Sequence, residues 1–430
     1  MIGFSGAGLV AYSTPNATSI EKPLDENQIS WFVSVIMITN FGFCMLSGFI
    51  NDLLGRKKSL ALSQLFYCSG WICMYFSTNF IGLIIGRCLS GAGMGLGFPS
   101  TTMYLSEISL IKHRGILSLV NSVTYNFFAM VCLALAANLP FDWLLIISAL
   151  PSCLFLILSF TIPESPIWYA SKSRMEDAKT SLERLRGSKY NSKAELDEME
   201  VILASKGHWK EDIMELKQRK IFCPILLLMA LIFFQSFSGA VIITDYAIEV
   251  FRRAKLKYDH YFLSILCTSF TTAGYVTSTF LTTKVSRKLQ FCFGGSSMAL
   301  NLLLSGLILK LMESGNSFIE SFGDILLPTC MIIACFSYGL GVGPIPFALL
   351  GEIVPQRIKA VASALVLTTR HLSFFVLMKF FPIFATTFGL HSAFWFHTGI
   401  LTVAVTFAYF AIPETRGKTL TELSNLFDKK

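Results

Sequence analysis

The stretch Gly48-Phe49-Ile50-Asn51-Asp52-Leu53-Leu54-Gly55-Arg56-Lys57 decides the architecture, because its frame returns once further along the chain. It closes a long apolar run with a glycine, an aspartate and a basic pair. The answering frame, Thr283-Lys284-Val285-Ser286-Arg287-Lys288, closes another apolar run, and Arg287 lies 231 residues beyond Arg56. Two further pairs follow in the same order. Glu107 with Arg114 is matched by Glu352 with Arg357, and Pro163-Glu164-Ser165 by Pro413-Glu414-Thr415, at offsets of 245 and 250 residues. Three coincidences in order mark an internal duplication.

What lies between these frames is apolar. Of 430 residues 53% are hydrophobic and only 14% charged, against about 25% charged in soluble chains. So little charge cannot cover a water-facing surface. A cytosolic enzyme, a nucleic-acid binder and a disordered scaffold are thereby excluded. A spanning helix needs about 20 mostly apolar residues. Spans are expected at 1–14, 30–50, 58–77, 80–104, 115–137, 142–161, 221–250, 260–282, 290–311, 324–350, 359–383 and 391–412. The first rises only about 21 Å as a helix, so it reads as a span whose beginning is missing or shortened. It has no basic leader or small-residue cleavage site. The expectation is an all-α polytopic membrane protein of twelve transmembrane helices in two parallel six-helix repeats. Residues 1–163 form the first bundle, 164–220 an intracellular helical linker domain, 221–412 the second bundle and 413–430 a cytoplasmic tail. Parallel repeats of this kind describe a carrier whose site lies near the midplane, between the halves.

Positive charge gives the orientation. With the loops after even-numbered spans inside, 26 of the 35 Lys and Arg face the cytoplasm and 6 face outward. The net charge of +8 therefore marks topology rather than a nucleic-acid partner. Arg252, Arg253, Lys255 and Lys257 run against the rule, and nothing in the sequence accounts for them. Asn16-Ala17-Thr18, the chain's one N-x-Ser/Thr triplet, falls outside and makes Asn16 a candidate glycosylation site. The 11 cysteines form no metal-ligand or disulfide pattern and read as inert apolar thiols. Ser173–Glu176 and Ser192–Glu195 have the spacing of capping boxes. The stretch they open reads either as a lid beneath the bundle or as a solvated linker.

The duplicated charges fall at one rim. Asp52, Arg56, Arg87, Glu107, Arg114 and Glu164 in the first half, with Arg287, Glu352, Arg357 and Glu414 in the second, form candidate ion pairs across helix ends. They would close the cytoplasmic side and part when it opens. Static pairing that only satisfies charge at the surface is the alternative.

These residues resemble the sugar porter branch of the major facilitator superfamily over essentially the whole chain. The likeness rests on Gly86-Arg87-x-x-x-Gly91-x-Gly93-x-Gly95, Pro163-Glu164-Ser165-Pro166-Ile167-Trp168 and Gln235-Ser236-Phe237-Ser238-Gly239. It continues in Gly343-Pro344-Ile345-Pro346-Phe347, Gly351-Glu352-Ile353-Val354-Pro355 and Pro413-Glu414-Thr415-Arg416-Gly417. Within the branch it resembles insect facilitated trehalose transporters, from Gly343 to Pro355 and at Gly3-Phe4-Ser5. The resemblance implies the major facilitator fold, alternating access, and facilitative uniport of trehalose or a hexose across the plasma membrane. Coupled members carry an Asp on the first span, where this chain has Ser5. No cofactor, metal site, enzymatic activity or obligate protein partner is implied; the partners are a small sugar and the lipid bilayer.

Carried over position by position, the substrate set is Gln235, Ser238, Ser122, Asn126, Thr271, Phe347, Arg370 and His371. It departs from the family. The second glutamine of span 7 is Ser236, an asparagine is Val241, Ser122 and Thr271 replace amides, and an Asn-Trp pair reads Arg370-His371. Intramembrane charges are costly and point to function. Arg370, His371 and Asp245 thus keep two other readings open: a sensor that binds sugar without moving it, and a proton- or anion-coupled carrier.

Overall fold

The computed structural model describes residues 2–13, 23–109, 114–187, 195–197, 199, 218–282, 284–315, 317–354 and 359–414. The first half comprises α1 (Ile2–Ser13), α2 (Glu26–Leu54), α3 (Arg56–Tyr75), α4 (Phe80–Ile108), α5 (Arg114–Asn138) and α6 (Phe141–Ser159). Two short helices follow, α7 (Pro166–Ser171) and α8 (Met175–Arg186). The second half comprises α9 (Arg219–Ser236), α10 (Ala240–Asp245), α11 (Ala247–Arg253), α12 (His260–Thr282), α13 (Arg287–Glu313) and α14 (Ser317–Ser337). It ends with α15 (Ile345–Ile353), α16 (Lys359–Phe388) and α17 (Leu390–Ala411). Asn16 and Arg357 lie outside the described residues, as do the side chains of Arg114 and Ser122.

Eight of the described helical stretches are long and apolar enough to cross a membrane. They correspond to spans 2, 4, 6, 7, 9, 10, 11 and 12. The other four are weaker for visible reasons. The α1 helix has 12 residues, α3 opens on Arg56-Lys57-Lys58, α12 is rich in Ser and Thr, and only Thr124–Asn138 of α5 is described in full. Leu, Ile and Phe cover the lipid-facing sides, with Phe49, Ile81, Ile157, Phe280, Phe293 and Phe410 among the most exposed large apolar residues.

The duplication is written in the packing. In α4, Gly91 abuts α2 at Ile36 and Thr39, Gly93 abuts the Ser63 carbonyl of α3, and Gly95 abuts the Asn40 carbonyl of α2. Where span 10 corresponds to span 4, Gly339 abuts the Thr271 carbonyl of α12 and Gly341 the Gln290 carbonyl of α13. Spans 2 and 3 are thus answered by spans 8 and 9. A Cβ at these glycines would meet backbone, so no larger residue permits the approach. The halves also meet reciprocally. Span 2 packs on span 11 and span 5 on span 8, with span 1 against span 7. That is the pattern a pseudo-two-fold axis requires, since 2 and 8, 5 and 11, and 1 and 7 are equivalent.

Two spans expected to be continuous are broken. Span 7 ends as α9 at Ser236 and restarts as α10 behind Gly239, whose φ of +89° is left-handed. Span 10 loosens into a π turn at Tyr338–Val342 before α15 begins behind Pro344. The breaks face each other. Gln235 Nε2 donates to the Val342 carbonyl at 3.2 Å and the Gly343 carbonyl at 2.5 Å. Interrupted helices tolerated deep in a bundle commonly line a cavity.

The expected capping box at Ser173–Glu176 is not formed. Ser173 adopts φ +59°, its N–H closing α7 on the Ala170 carbonyl at 2.9 Å, and Arg174 becomes the cap of α8 without a side-chain bond. Ser192 lies outside the described residues. A true capping box stands instead at Asp25, with Gln28, opening α2. The basic cluster after span 7 also gains an explanation: Glu249 pairs with both Arg252 and Arg253, and Asp324 with Lys257.

Candidate functional site

Three polar regions stand along the bundle. At the end where α2 meets α3, here called the basic end, Arg56 grips Glu107 with two nitrogens, Nε at 2.9 Å and Nη2 at 2.8 Å. Its Nη1 donates to the Asn51 carbonyl at 3.1 Å and Asp52 Oδ1 at 3.3 Å. Glu164 accepts from the backbone N–H groups of Arg56, Lys57 and Ser165. It thereby caps the start of α3, where unpaired N–H groups favour an anion. Gly55, at φ +89°, makes room, since a Cβ there would strike the Glu164 carboxylate. Ser165 Oγ donates to Glu107, and Trp168 Nε1 to the Asp52 carbonyl at 3.0 Å. The α7–α8 segment is tied in through Ser181 to the Glu164 carbonyl and Arg186 to the Ile108 carbonyl.

In the second half Arg287 holds Glu352 Oε1 through Nε and Nη2, at 3.0 and 2.6 Å, and donates to the Thr282 carbonyl. Among the described residues, Glu352 Oε2 is buried without a hydrogen-bond partner. Glu414 is exposed at the end of the described chain and has a partner of its own.

Arg87 is not at this rim. It lies 20 residues before Glu107 on the same helix, about 30 Å away at helical rise. Fully buried, it donates through Nε to the Phe32 carbonyl at 2.9 Å and through Nη2 to Ser5 Oγ at 2.6 Å, and it stacks on Phe32 and Phe4. The sequence expectation failed because Arg87 shares a helix with rim residues whose register was not considered. Asp245 acts electrostatically on Arg87. Gly6, next to Ser5, packs against the Asp245 carbonyl.

At mid-depth the two halves enclose an aromatic and polar chamber. Arg370 on α16 places its guanidinium 5.3 Å from the Phe347 ring centre and 5.1 Å from that of Phe374. Tyr125 of α5, Tyr275 of α12 and Tyr338 of the π turn all lie within electrostatic reach of Arg370. The Tyr275 and Tyr338 rings meet edge to face at 6.3 Å. Tyr125 is 44% exposed. Asn126 stands beside it, half-buried.

Other expected substrate residues are elsewhere occupied. Both donors of Gln235 hold the π turn, and its Oε1 is buried without a partner. Ser238 is fully buried and donates to the Gln235 carbonyl at 2.7 Å, serving the break in span 7. Thr271 back-bonds to the Cys267 carbonyl at 2.9 Å within α12. His371 is 8% exposed, with Nδ1 unpartnered. The tyrosines went unnoticed in the sequence because they come from three separate spans with no common motif.

At the opposite end the halves are fastened. Lys379 Nζ donates to Asn27 Oδ1 at 2.8 Å and Ser30 Oγ at 2.7 Å. Trp31 lies against Phe375, and within the second half the Tyr246 hydroxyl donates to the Met378 carbonyl at 2.9 Å.

Two duplicated six-helix halves, joined at one end about a polar mid-depth chamber, define a multi-pass membrane carrier. Residues 2–427 match the family described as Sugar (and other) transporter; the chain belongs to it, a family of transporters rather than enzymes. It is 27% identical to the facilitated trehalose transporter Tret1 of Polypedilum vanderplanki, over 98% of this chain and 84% of that protein. It is 26% identical to Tret1 of Apis mellifera ligustica, over 99% and 85%. Against Tret1 of Anopheles gambiae it is 27% identical, spanning 54% of that protein's length. Among solved structures, the inward-open xylose transporter XylE of E. coli superposes with a TM-score of 0.80 at 21% identity, covering 99% of this chain and 97% of that one. The major facilitator fold is therefore common to both.

Proposed function

We propose that the protein carries a sugar across the plasma membrane by facilitative uniport and alternating access, with the basic end, the 164–220 segment and the C-terminus in the cytoplasm. The family and the trehalose-transporting relatives support the solute class; trehalose and hexoses are the neutral candidates. The observation that carries the mechanism is the asymmetry of fastening. Lys379 and Phe375 of the second half meet Asn27, Ser30 and Trp31 of the first at the far end, while the Arg56–Glu107 and Arg287–Glu352 pairs each lie within one half. Such a molecule is closed outward, and reversing access means parting the far-end contacts and bringing the two basic-end sites together. The 1–163, 164–220, 221–412 and 413–430 divisions then act as two rigid bundles, a bracket tied to the first, and a tail.

Ser5 supports uniport, because a hydroxyl in that place cannot take up and release a proton near neutral pH. A second reading, proton-coupled carriage, is favoured by one observation: Asp245 is 3% exposed and its Oδ1 lacks a hydrogen-bond partner. Uptake of labelled sugars into proteoliposomes, with and without a pH gradient, separates the two. Equal initial rates support uniport. Uptake abolished by collapsing the gradient supports coupling through Asp245, and sugar binding without flux would make the protein a sensor.

A further inference from the structure

We propose that the transported sugar carries one negative charge, a hexuronate or other polyhydroxylated monocarboxylate, and that Arg370 is its counter-ion. The proposal rests on the carrier reading above and names the solute class of that same chamber. Away from the span ends, the described ionised side chains are Arg87, Asp245 and Arg370. Arg87 and Asp245 act on each other, and residues 5 and 6 of α1 tie them to one place: Ser5 bonds Arg87, and Gly6 packs on Asp245. These two groups answer each other. Arg370 is left as one unbalanced cation at mid-depth, with no hydrogen bond or ion pair among the described residues and a buried, unpartnered Nε.

Arg370 is half-buried with its Nε withdrawn from water, and a guanidinium so placed favours an anionic partner. Phe347 and Phe374 offer it their ring faces but accept none of its hydrogens. A carboxylate does, in the two-pronged geometry that makes arginine rather than lysine the residue of choice. The hydroxyls of Tyr125, Tyr275 and Tyr338, all within the field of Arg370, supply the donors and acceptors that a sugar's hydroxyls need. A single surplus positive charge matches a monoanion. A phosphate ester, carrying close to two negative charges at neutral pH, would overshoot it. This also gives a reason for the lost amides at Ser122, Ser236 and Val241: the charge pair takes over the gripping of the ligand.

The test is uptake of labelled glucuronate, glucose, trehalose and glucose 6-phosphate by the full chain in proteoliposomes at zero potential. It is joined by thermal stabilisation of the detergent-purified protein by each solute. Glucuronate should enter fastest, Arg370→Gln should lower its uptake about tenfold or more, and Arg370→Lys should fall between. If Arg370→Gln does not fold, wild-type protein still reports through competition: excess unlabelled glucuronate should block uptake and glucose should not. Preference for glucose, trehalose or glucose 6-phosphate would overturn the proposal, as would glucuronate uptake indifferent to residue 370. Stabilisation by glucuronate that depends on Arg370, without flux of any solute, would uphold the charge assignment while sinking the carrier reading. Absence of both glucuronate flux and stabilisation by glucuronate would overturn it.

Discussion

Arg56 and Arg287 hold equivalent positions in the two halves, each at the start of a third span and each reaching a glutamate on the next helix. Around Arg56 the site is closed: the guanidinium side chain is 3% exposed and that of Glu107 10%. Glu164, Ser165 and Trp168 complete it, and α7–α8 is bolted to the same place. Around Arg287 it is thinner. The side chains of Arg287 and Glu352 are 16% and 29% exposed, and one glutamate oxygen has no hydrogen-bond partner among the described residues. The first half has a bracket of its own; the second leaves capacity to bond something else. For a carrier that cycles, this teaches where the moving contact is: the looser site is the one able to exchange partners.

Five substitutions would break or sharpen that contrast, each read as a change in unfolding free energy in detergent. Glu107→Ala strands a buried Arg56 and should cost about 3–5 kcal/mol. Gly55→Ala forces a side chain into left-handed backbone and against Glu164, and should cost about 1–3 kcal/mol. Its counterpart Ser286 has an ordinary φ of −67°, so Ser286→Ala should lose only a cap. Glu352→Ala, removing a partly exposed pair, should cost about 1–2 kcal/mol, between surface and buried values. Trp168→Phe deletes one hydrogen bond and should cost about 0.5–1.5 kcal/mol. Equal costs at Glu107 and Glu352 would erase the asymmetry, and a harmless Gly55→Ala would remove Glu164 as the cap of α3.

Much of this was legible in the sequence. The duplication, the spans and the set of rim charges follow from apolar run lengths and charges recurring at matched offsets, whereas the partners, Arg56 with Glu107 and Arg287 with Glu352, come only from the packing. Arg87 departs from the rim because a motif gives order along the chain, not depth; helical rise sets it about 30 Å from Glu107 on the same helix. Gln235 was read as a sugar ligand by resemblance, yet its donors bind the π turn, since a break in span 10 frees carbonyls that something buried must satisfy. The tyrosine chamber was illegible for a different reason. Tyr125, Tyr275 and Tyr338 converge only after two halves dock, and no periodicity within one span encodes that meeting.

The central claim, a carrier that exposes one chamber alternately to the two sides, is tested most directly by counterflow. Proteoliposomes loaded with excess unlabelled solute are diluted into the same labelled solute at equal pH and zero potential, using whichever of glucose, trehalose and glucuronate is taken up fastest. The account predicts a transient overshoot, labelled solute rising inside above its outside concentration before it decays. A monotonic approach to equilibrium, as through an open pore, would contradict it.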